Sequence, residues 1–127
     1  MSAEERESLN QSLARLSDAL FDYDKATLRP DAVNALSGDV NVVKGVLSRY
    51  PSQKLLIEGG ADERGSAEYN LALGDKRARS AEEFLVSMGV PSQQLKLISF
   101  GKEHAVCQEH NEACWQKNRR AHITAAP

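Results

Sequence analysis

At 127 residues the chain has the length of a single domain, and a domain of that size buries well over half of the surface its unfolded chain exposes, so a hydrophobic core is expected. Sixteen Lys and Arg against eighteen Asp and Glu leave a net charge of −2, and beyond Arg119-Arg120 there is no basic cluster, which argues against nucleic acid as the partner because phosphate recognition needs concentrated cation. No apolar run approaches the roughly 20 residues that cross a bilayer, and the opening MSAEERESLN is too charged for a secretory signal, so the chain as it stands is expected to be soluble.

From Ala3 onward, Leu9, Leu13 and Leu16 recur at helical spacing and predict an amphipathic leading helix. DALFDYDK follows, with Leu20, Phe21 and Tyr23 suggesting a short strand that ends at Asp24-Lys25. Val33, Leu36, Val40, Val43, Leu47 and Tyr50 then fall at steps of three and four, one face of a long helix opened by Pro30 and closed by Pro51. KLLIEGG is a compact apolar run between turn residues and predicts a strand buried on both faces.

The stretch IEGGADERGSAEYN therefore joins a strand end to a helix, because Leu71, Ala78, Ala81, Leu85 and Met88 beyond it share one helical face that stops at Gly89 and Pro91. LKLISFG predicts a third strand, Cys114 to Asn118 a helical turn, and NRRAHITA a fourth short strand with Arg119-Arg120 as its solvated entry. Strands and helices alternate around one sheet, the pattern of an α/β fold without internal repeats.

The strand-to-helix loop carries the chemistry. Gly60 and Gly65 have the spacing of a phosphate loop, but the Lys and Ser/Thr that should follow are replaced by Ser66 and Ala67, and Asp62 and Glu63 would repel phosphate. The alternating oxygen ligands of a calcium loop are also missing. Fifteen residues after Asp62 comes Arg77, on the helix that the loop feeds. A carboxylate and a guanidinium at one mouth suit a ligand bearing ammonium and carboxylate on the same carbon, since Arg grips a carboxylate through two parallel hydrogen bonds. The competing expectation is an internal salt bridge from Asp62 to Arg77 or Arg64, the commoner fate of charges near a surface.

LFDYDKATLRPDA, IEGGADERGSAEYNLALGDKRA, LISFGKE and NRRAHI, in that order and spacing over about Asp18 to Thr124, closely resemble the OmpA-like peptidoglycan-binding domain, and within it the lipoprotein members. The resemblance implies an α/β, two-layer α+β sandwich whose mixed four-stranded sheet has its helices packed on one face. It implies a leading helix or linker over residues 1–17 and the OmpA-like domain over residues 18–127. It further implies a noncatalytic pocket for the meso-diaminopimelate of wall peptides, with Asp62 and Arg77 as the charged pair, Arg64, Leu73, Tyr23 and Asp24 lining it, and Asn70 and Leu71 supporting its wall. Peptidoglycan is then the partner, joined by TolB and other Tol-system proteins. The resemblance implies a periplasmic setting, with attachment to the outer membrane through an anchor outside this chain. Relatives usually read EGH where this chain reads EGG, so Gly60 takes a His from the edge of the expected site; an envelope protein-interaction domain without wall binding is the alternative function.

Cys107 and Cys114 are the only cysteines, so their pairing is unambiguous if they pair. With His104 and His110 they could also offer four donors to zinc, at a spacing atypical of zinc fingers. The oxidising compartment implied by the resemblance favours a Cys107–Cys114 disulfide, with no metal and no cofactor. Trp115, next to Cys114, is expected to pack on that bridge more readily than to stack on a ligand. Ser66, Ser80, Ser87 and Ser99 lack a nucleophile-elbow context, so no catalytic residue is assigned.

Overall fold

The structure, a computed structural model, describes all 127 residues. A helix, α1 (Ala3–Leu13), opens on a reciprocal cap in which Ser2 Oγ accepts from the Glu5 amide and the Glu5 side chain accepts from the Ser2 amide. Its Leu9 and Leu13 enter the domain's core. Next come β1 (Ala19–Leu20) and α2 (Pro30–Arg49), the latter with Pro30 in its first turn, where the missing amide costs nothing. The chain continues through β2 (Leu55–Gly60), α3 (Ala67–Ser87), a short 3₁₀ turn (Ser92–Gln94), β3 (Leu95–Gly101), α4 (Glu112–Asn118) and β4 (Arg120–Ala125). No helix is long and apolar enough to cross a membrane.

The four strands form one mixed sheet in the order β1-β4-β2-β3, with β2 parallel to β3 and antiparallel to β4. Leu55 and Ile57 of β2 and Ala121 and Ile123 of β4 alternate onto one face, where Val40, Val43 and Val46 of α2 and Ala78, Ala81 and Leu85 of α3 complete the core. The other face of β2 is only partly covered, at Leu56 and Glu58. The expectation of a strand buried on both faces is therefore corrected: β2 is central in the sheet, but the helices lie on one side, so its apolar run alternates in burial.

Two expectations near the start of the sheet also change. The first strand stops at Leu20; Phe21 adds one bond to the Arg119 carbonyl, and Asp22 to Lys25 then form a turn closed by Lys25 N–H on the Asp22 carbonyl. Asp24 sits there at φ 59°, a left-handed conformation that Asp tolerates better than most residues. At the sheet's end, Arg119 and Arg120 are not a solvated entry: both are buried, because β4 lies between β1 and β2.

α3 reaches the sheet through glycine. A Cβ on Gly59 would lie 1.8 Å from the Gly74 carbonyl oxygen, and one on Gly74 would lie 2.2 Å from Ser99 Oγ. Helix and strand backbones thus touch directly, which sets the distance between the β2 end and the α3 side chains that face it.

Candidate functional site

The loop from Ala61 to Ser66 lies between the end of β2 and the start of α3, so its geometry is fixed from both sides. Gly65 takes φ 96°, which a side chain would strain. Ser66 caps α3 by accepting from the Tyr69 amide. Asn70, buried one turn into the helix, donates from Nδ2 to the Arg64 carbonyl at 2.8 Å and holds the loop against the helix.

These elements, with the Asp22–Lys25 turn, enclose a cleft lined by Tyr23, Asp24, Ala61, Asp62, Arg64, Gly65, Tyr69, Asn70, Leu73 and Arg77. Each residue expected at the site, Tyr23, Asp24, Asp62, Arg64, Asn70, Leu73 and Arg77, therefore lies on its wall. Leu71 does not: it is half exposed on the opposite side of α3, beside Phe100 and Lys102.

Arg77 is the least accessible of them, 0% exposed although fully charged in type. Its guanidinium donates from Nε to the Lys25 carbonyl at 2.8 Å, from Nη1 to the Gly60 carbonyl at 2.9 Å and from Nη2 to the Asp22 carbonyl at 3.0 Å. Three of its five N–H groups are thus used, all on backbone, and no carboxylate pairs with it. Burial pushes Arg77 down to about 10, helped by the like charge of Arg119 and opposed by Asp62 and Asp24. The group stays a cation at neutral pH.

Asp62 is 4% exposed and is taken up by other partners. Its Oδ1 accepts from the Arg64 amide at 3.0 Å and Arg64 Nε at 3.1 Å, and its Oδ2 accepts from Arg64 Nη2 at 2.7 Å and Arg119 Nη1 at 3.2 Å. Burial by itself would raise this carboxyl, but the bonds from Arg64 and Arg119 outweigh it and hold Asp62 below the ordinary carboxylate value. Of the two internal salt bridges that the spacing allowed, Asp62–Arg64 forms and Asp62–Arg77 does not.

Sequence reasoning missed a second layer supplied by α4 and the start of β4. Arg119 spans Asp62, the Phe21 carbonyl at 2.8 Å and Glu112 at 2.6 Å. Trp115 faces the Arg64 guanidinium with its ring centroid 4.2 Å away, Tyr23 flanks the same group at 4.1 Å, and Trp115 Nε1 donates to Glu63 at 2.9 Å. Trp115 is thus a wall of the Arg64 slot, a role that its position beside Cys114 did not announce. The NRR motif contained the signal for Arg119, but spacing alone does not say which arginine turns toward a loop 57 residues away.

Cys107 and Cys114 are joined by a disulfide, as the implied compartment led us to expect. The other two donors of the zinc alternative go elsewhere, His104 stacking on Phe100 and His110 lying 2.6 Å from Glu63 Oε1. Gly60 also differs from the expectation. A Cβ there would meet Arg120 Nη1 at 2.6 Å and the Asn118 carbonyl at 2.9 Å, so the nearest neighbours of a side chain at this position are Arg120 and Asn118 and not the cleft.

The description "OmpA family" fits residues 20–119 of the chain, which takes in β2, β3, the cleft and α4 as far as Arg119, and stops short of β4. The chain belongs to the OmpA family. Its relatives include the peptidoglycan-associated lipoproteins of Pseudomonas aeruginosa, 39% identical over 88% of this chain and 64% of that protein, and of Agrobacterium fabrum, 46% identical over 80% of this chain and 55% of that protein. The chain therefore spans somewhat over half the length of these curated relatives. The crystal structure of the peptidoglycan-associated lipoprotein from Burkholderia pseudomallei is 35% identical and superposes with a TM-score of 0.78 over 96% of this chain and 99% of that one. The C-terminal domain of Helicobacter pylori MotB, 18% identical with a TM-score of 0.72 over 87% of this chain and 84% of its own, shares the fold. In OmpA-family terms, the α/β architecture with a mixed four-stranded sheet is what the resemblance implied.

Proposed function

We propose that this OmpA-family domain binds peptidoglycan without turning it over, by seating the zwitterionic end of meso-diaminopimelate between Asp62 and Arg77, and so ties the outer membrane to the wall. The observation that carries this reading is the Arg77 guanidinium: a buried cation on the wall of a cleft, with two N–H groups unclaimed and no carboxylate of its own. A buried charge of that kind is completed by an anion. Asp62 in the same cleft supplies the opposite charge, which suits the ammonium on the same carbon. Tyr23, Asp24, Leu73 and Asn70 give the site its shape. The names of the similar lipoproteins support the wall as the partner. The resemblance further supports a periplasmic setting, an anchor outside this chain and Tol-system partners such as TolB.

Sedimentation with insoluble peptidoglycan, with free meso-diaminopimelate as competitor, tests the reading. Asp62→Asn and Arg77→Lys keep part of each hydrogen-bond set while removing the charge or the planar fork, and both should lose sedimentation. Wild-type sedimentation by both variants would remove the site assignment. Sedimentation that diaminopimelate does not compete would move wall binding to another surface.

Selectivity follows from the same geometry. A lysine-type wall peptide ends in a bare ammonium and leaves Arg77 without its carboxylate, a charge-assisted bond worth roughly 1.5–3 kcal/mol. Lysine-type fragments, and diaminopimelate fragments amidated at that carboxylate, should bind about ten to a hundred times more weakly by calorimetry.

A further inference from the structure

Asp62 has no acceptor site left. A carboxylate offers about four lone-pair positions, and all four are filled, three of them by the amide, Nε and Nη2 of Arg64. The cleft around it has a volume of about 50 Å³, room for a few waters, and Arg77 behind it has no exposure to solvent. Yet Arg64 is itself about one-third exposed and belongs to the loop, not to the core. Its guanidinium carbon lies 4.1 Å and 4.2 Å from the centroids of two aromatic rings that come from separate elements, Tyr23 of the β1–α2 turn and Trp115 of α4.

We propose that Arg64 is an internal stand-in for the ligand's ammonium: it occupies Asp62 in the free protein, is stored there between Tyr23 and Trp115, and swings out when the ligand enters. This rests on the diaminopimelate reading of the cleft. The exchange replaces one cation on Asp62 by another, so the ammonium gains little over what Arg64 gives up. Net affinity is then left to the carboxylate at Arg77, which has no internal rival. Arg64 thereby lowers the affinity of every ammonium-bearing ligand by the same factor and leaves the discrimination to Arg77, so a ligand bearing only the ammonium gains nothing net by displacing it.

The experiment is calorimetry with a diaminopimelate-type and a lysine-type wall tripeptide on wild type, Arg64→Ala and Trp115→Leu, with the Arg64 Nε–H followed by ¹⁵N NMR. Arg64→Ala should tighten both tripeptides by the same factor, about three- to tenfold, and leave their ratio unchanged. Trp115→Leu, which removes one wall of the slot and retains Arg64, should tighten both by about two- to threefold. In wild type the Arg64 Nε–H should exchange slowly with water when free and lose that protection on binding. If Arg64→Ala weakens the diaminopimelate tripeptide or narrows the ratio, Arg64 grips the ligand and the stand-in role is wrong. Binding with the Arg64 signal unchanged overturns the stand-in alone and leaves the diaminopimelate reading in place. Failure of the tripeptides to bind either wild type or Arg64→Ala removes both.

Discussion

Asp62 and Arg119, 57 residues apart in the chain, pair at 3.2 Å with both side chains less than 5% exposed. The pair joins the Ala61–Ser66 loop to the residue between α4 and β4, and Arg119 also pairs with Glu112 of α4. Removing one member of a buried pair leaves the other uncompensated, so Asp62→Ala should cost about 3 kcal/mol in urea unfolding, with Asp62→Asn costing less because it keeps an acceptor. The folded pKa of Asp62 lies below the ordinary aspartate value of 3.8, so this stabilisation is present above 3.8 and is lost as pH falls through the depressed value. The stabilities of wild type and Asp62→Asn should therefore converge in strong acid. A gap that stays constant down to pH 2 would mean that the pair contributes no charge-dependent stability.

Gly59 and Gly74 make the second mechanical constraint on the site. A methyl at Gly59 cannot be relieved by a side-chain rotation, because the atom it meets is the Gly74 backbone carbonyl. Gly59→Ala should therefore push α3 off β2 and cost about 3 kcal/mol or more. Gly38→Ala is the control: it lies in the middle of α2 with nothing within 4 Å of the added Cβ, and it should stabilise the protein by about 0.5–1 kcal/mol through helix propensity. Equal unfolding midpoints for the two variants would contradict the close approach.

On the less covered face of the sheet, His122 Nδ1 lies 2.6 Å from Asp18 Oδ1. The Asp18 bond raises the His122 pKa above its ordinary 6.5, burial opposes this, Asp18 and Glu58 add to it electrostatically, and Arg120 subtracts. A raised folded pKa stabilises the charged form, so the contribution is complete below 6.5 and fades as pH rises through the folded value. With the ring 42% exposed, solvent screening keeps this below about 1 kcal/mol. Wild type should lose that increment between mildly acidic and mildly alkaline pH, and His122→Gln should not. A His122 titration seen by NMR at or below 6.5 would rule it out.

The disulfide closes a short loop, with Cys107 and Cys114 seven positions apart, for which chain entropy predicts roughly 2.5 kcal/mol. Reduction, or replacement of both cysteines by Ser, should lower the unfolding free energy by about that amount or somewhat less. Alkylating reagent should label neither cysteine in the native protein without reductant and both after reduction and unfolding. Because Cys114 lies in the first turn of α4, beside Trp115 and Glu112, the reduced protein should also hold Arg64 less firmly, visible as faster exchange of its Nε–H.

The sequence alone determined most of the elements, and its resemblance to the OmpA-like domain pointed to the residues that line the cleft. The apolar residues of DALFDYDK, the compact apolar run of KLLIEGG, three-and-four spacing in the two long helices, Pro30 at a helix start and Gly89 at a helix stop are local signals, set by side-chain direction and backbone freedom, and they were readable without the fold, although the one-sided burial of KLLIEGG was not. Asp62 and Arg77 stood out by their charges beside the strand-helix junction, with Arg64 as an alternative partner for Asp62, whereas Asn70 and Leu73 came from the resemblance to the OmpA-like domain and not from any local signal. What only the tertiary structure decided is who pairs with whom. Arg77 is held by the carbonyls of Asp22, Lys25 and Gly60, which no residue pattern encodes because every residue carries a carbonyl. Arg119 turns inward to Asp62 because β4 inserts between β1 and β2, and Trp115 meets Arg64 because α4 packs beside that insertion. The choice of a charge's partner depends on where distant segments of chain come to rest, and that placement gives Arg77 three backbone carbonyls as partners while Arg64 pairs with Asp62.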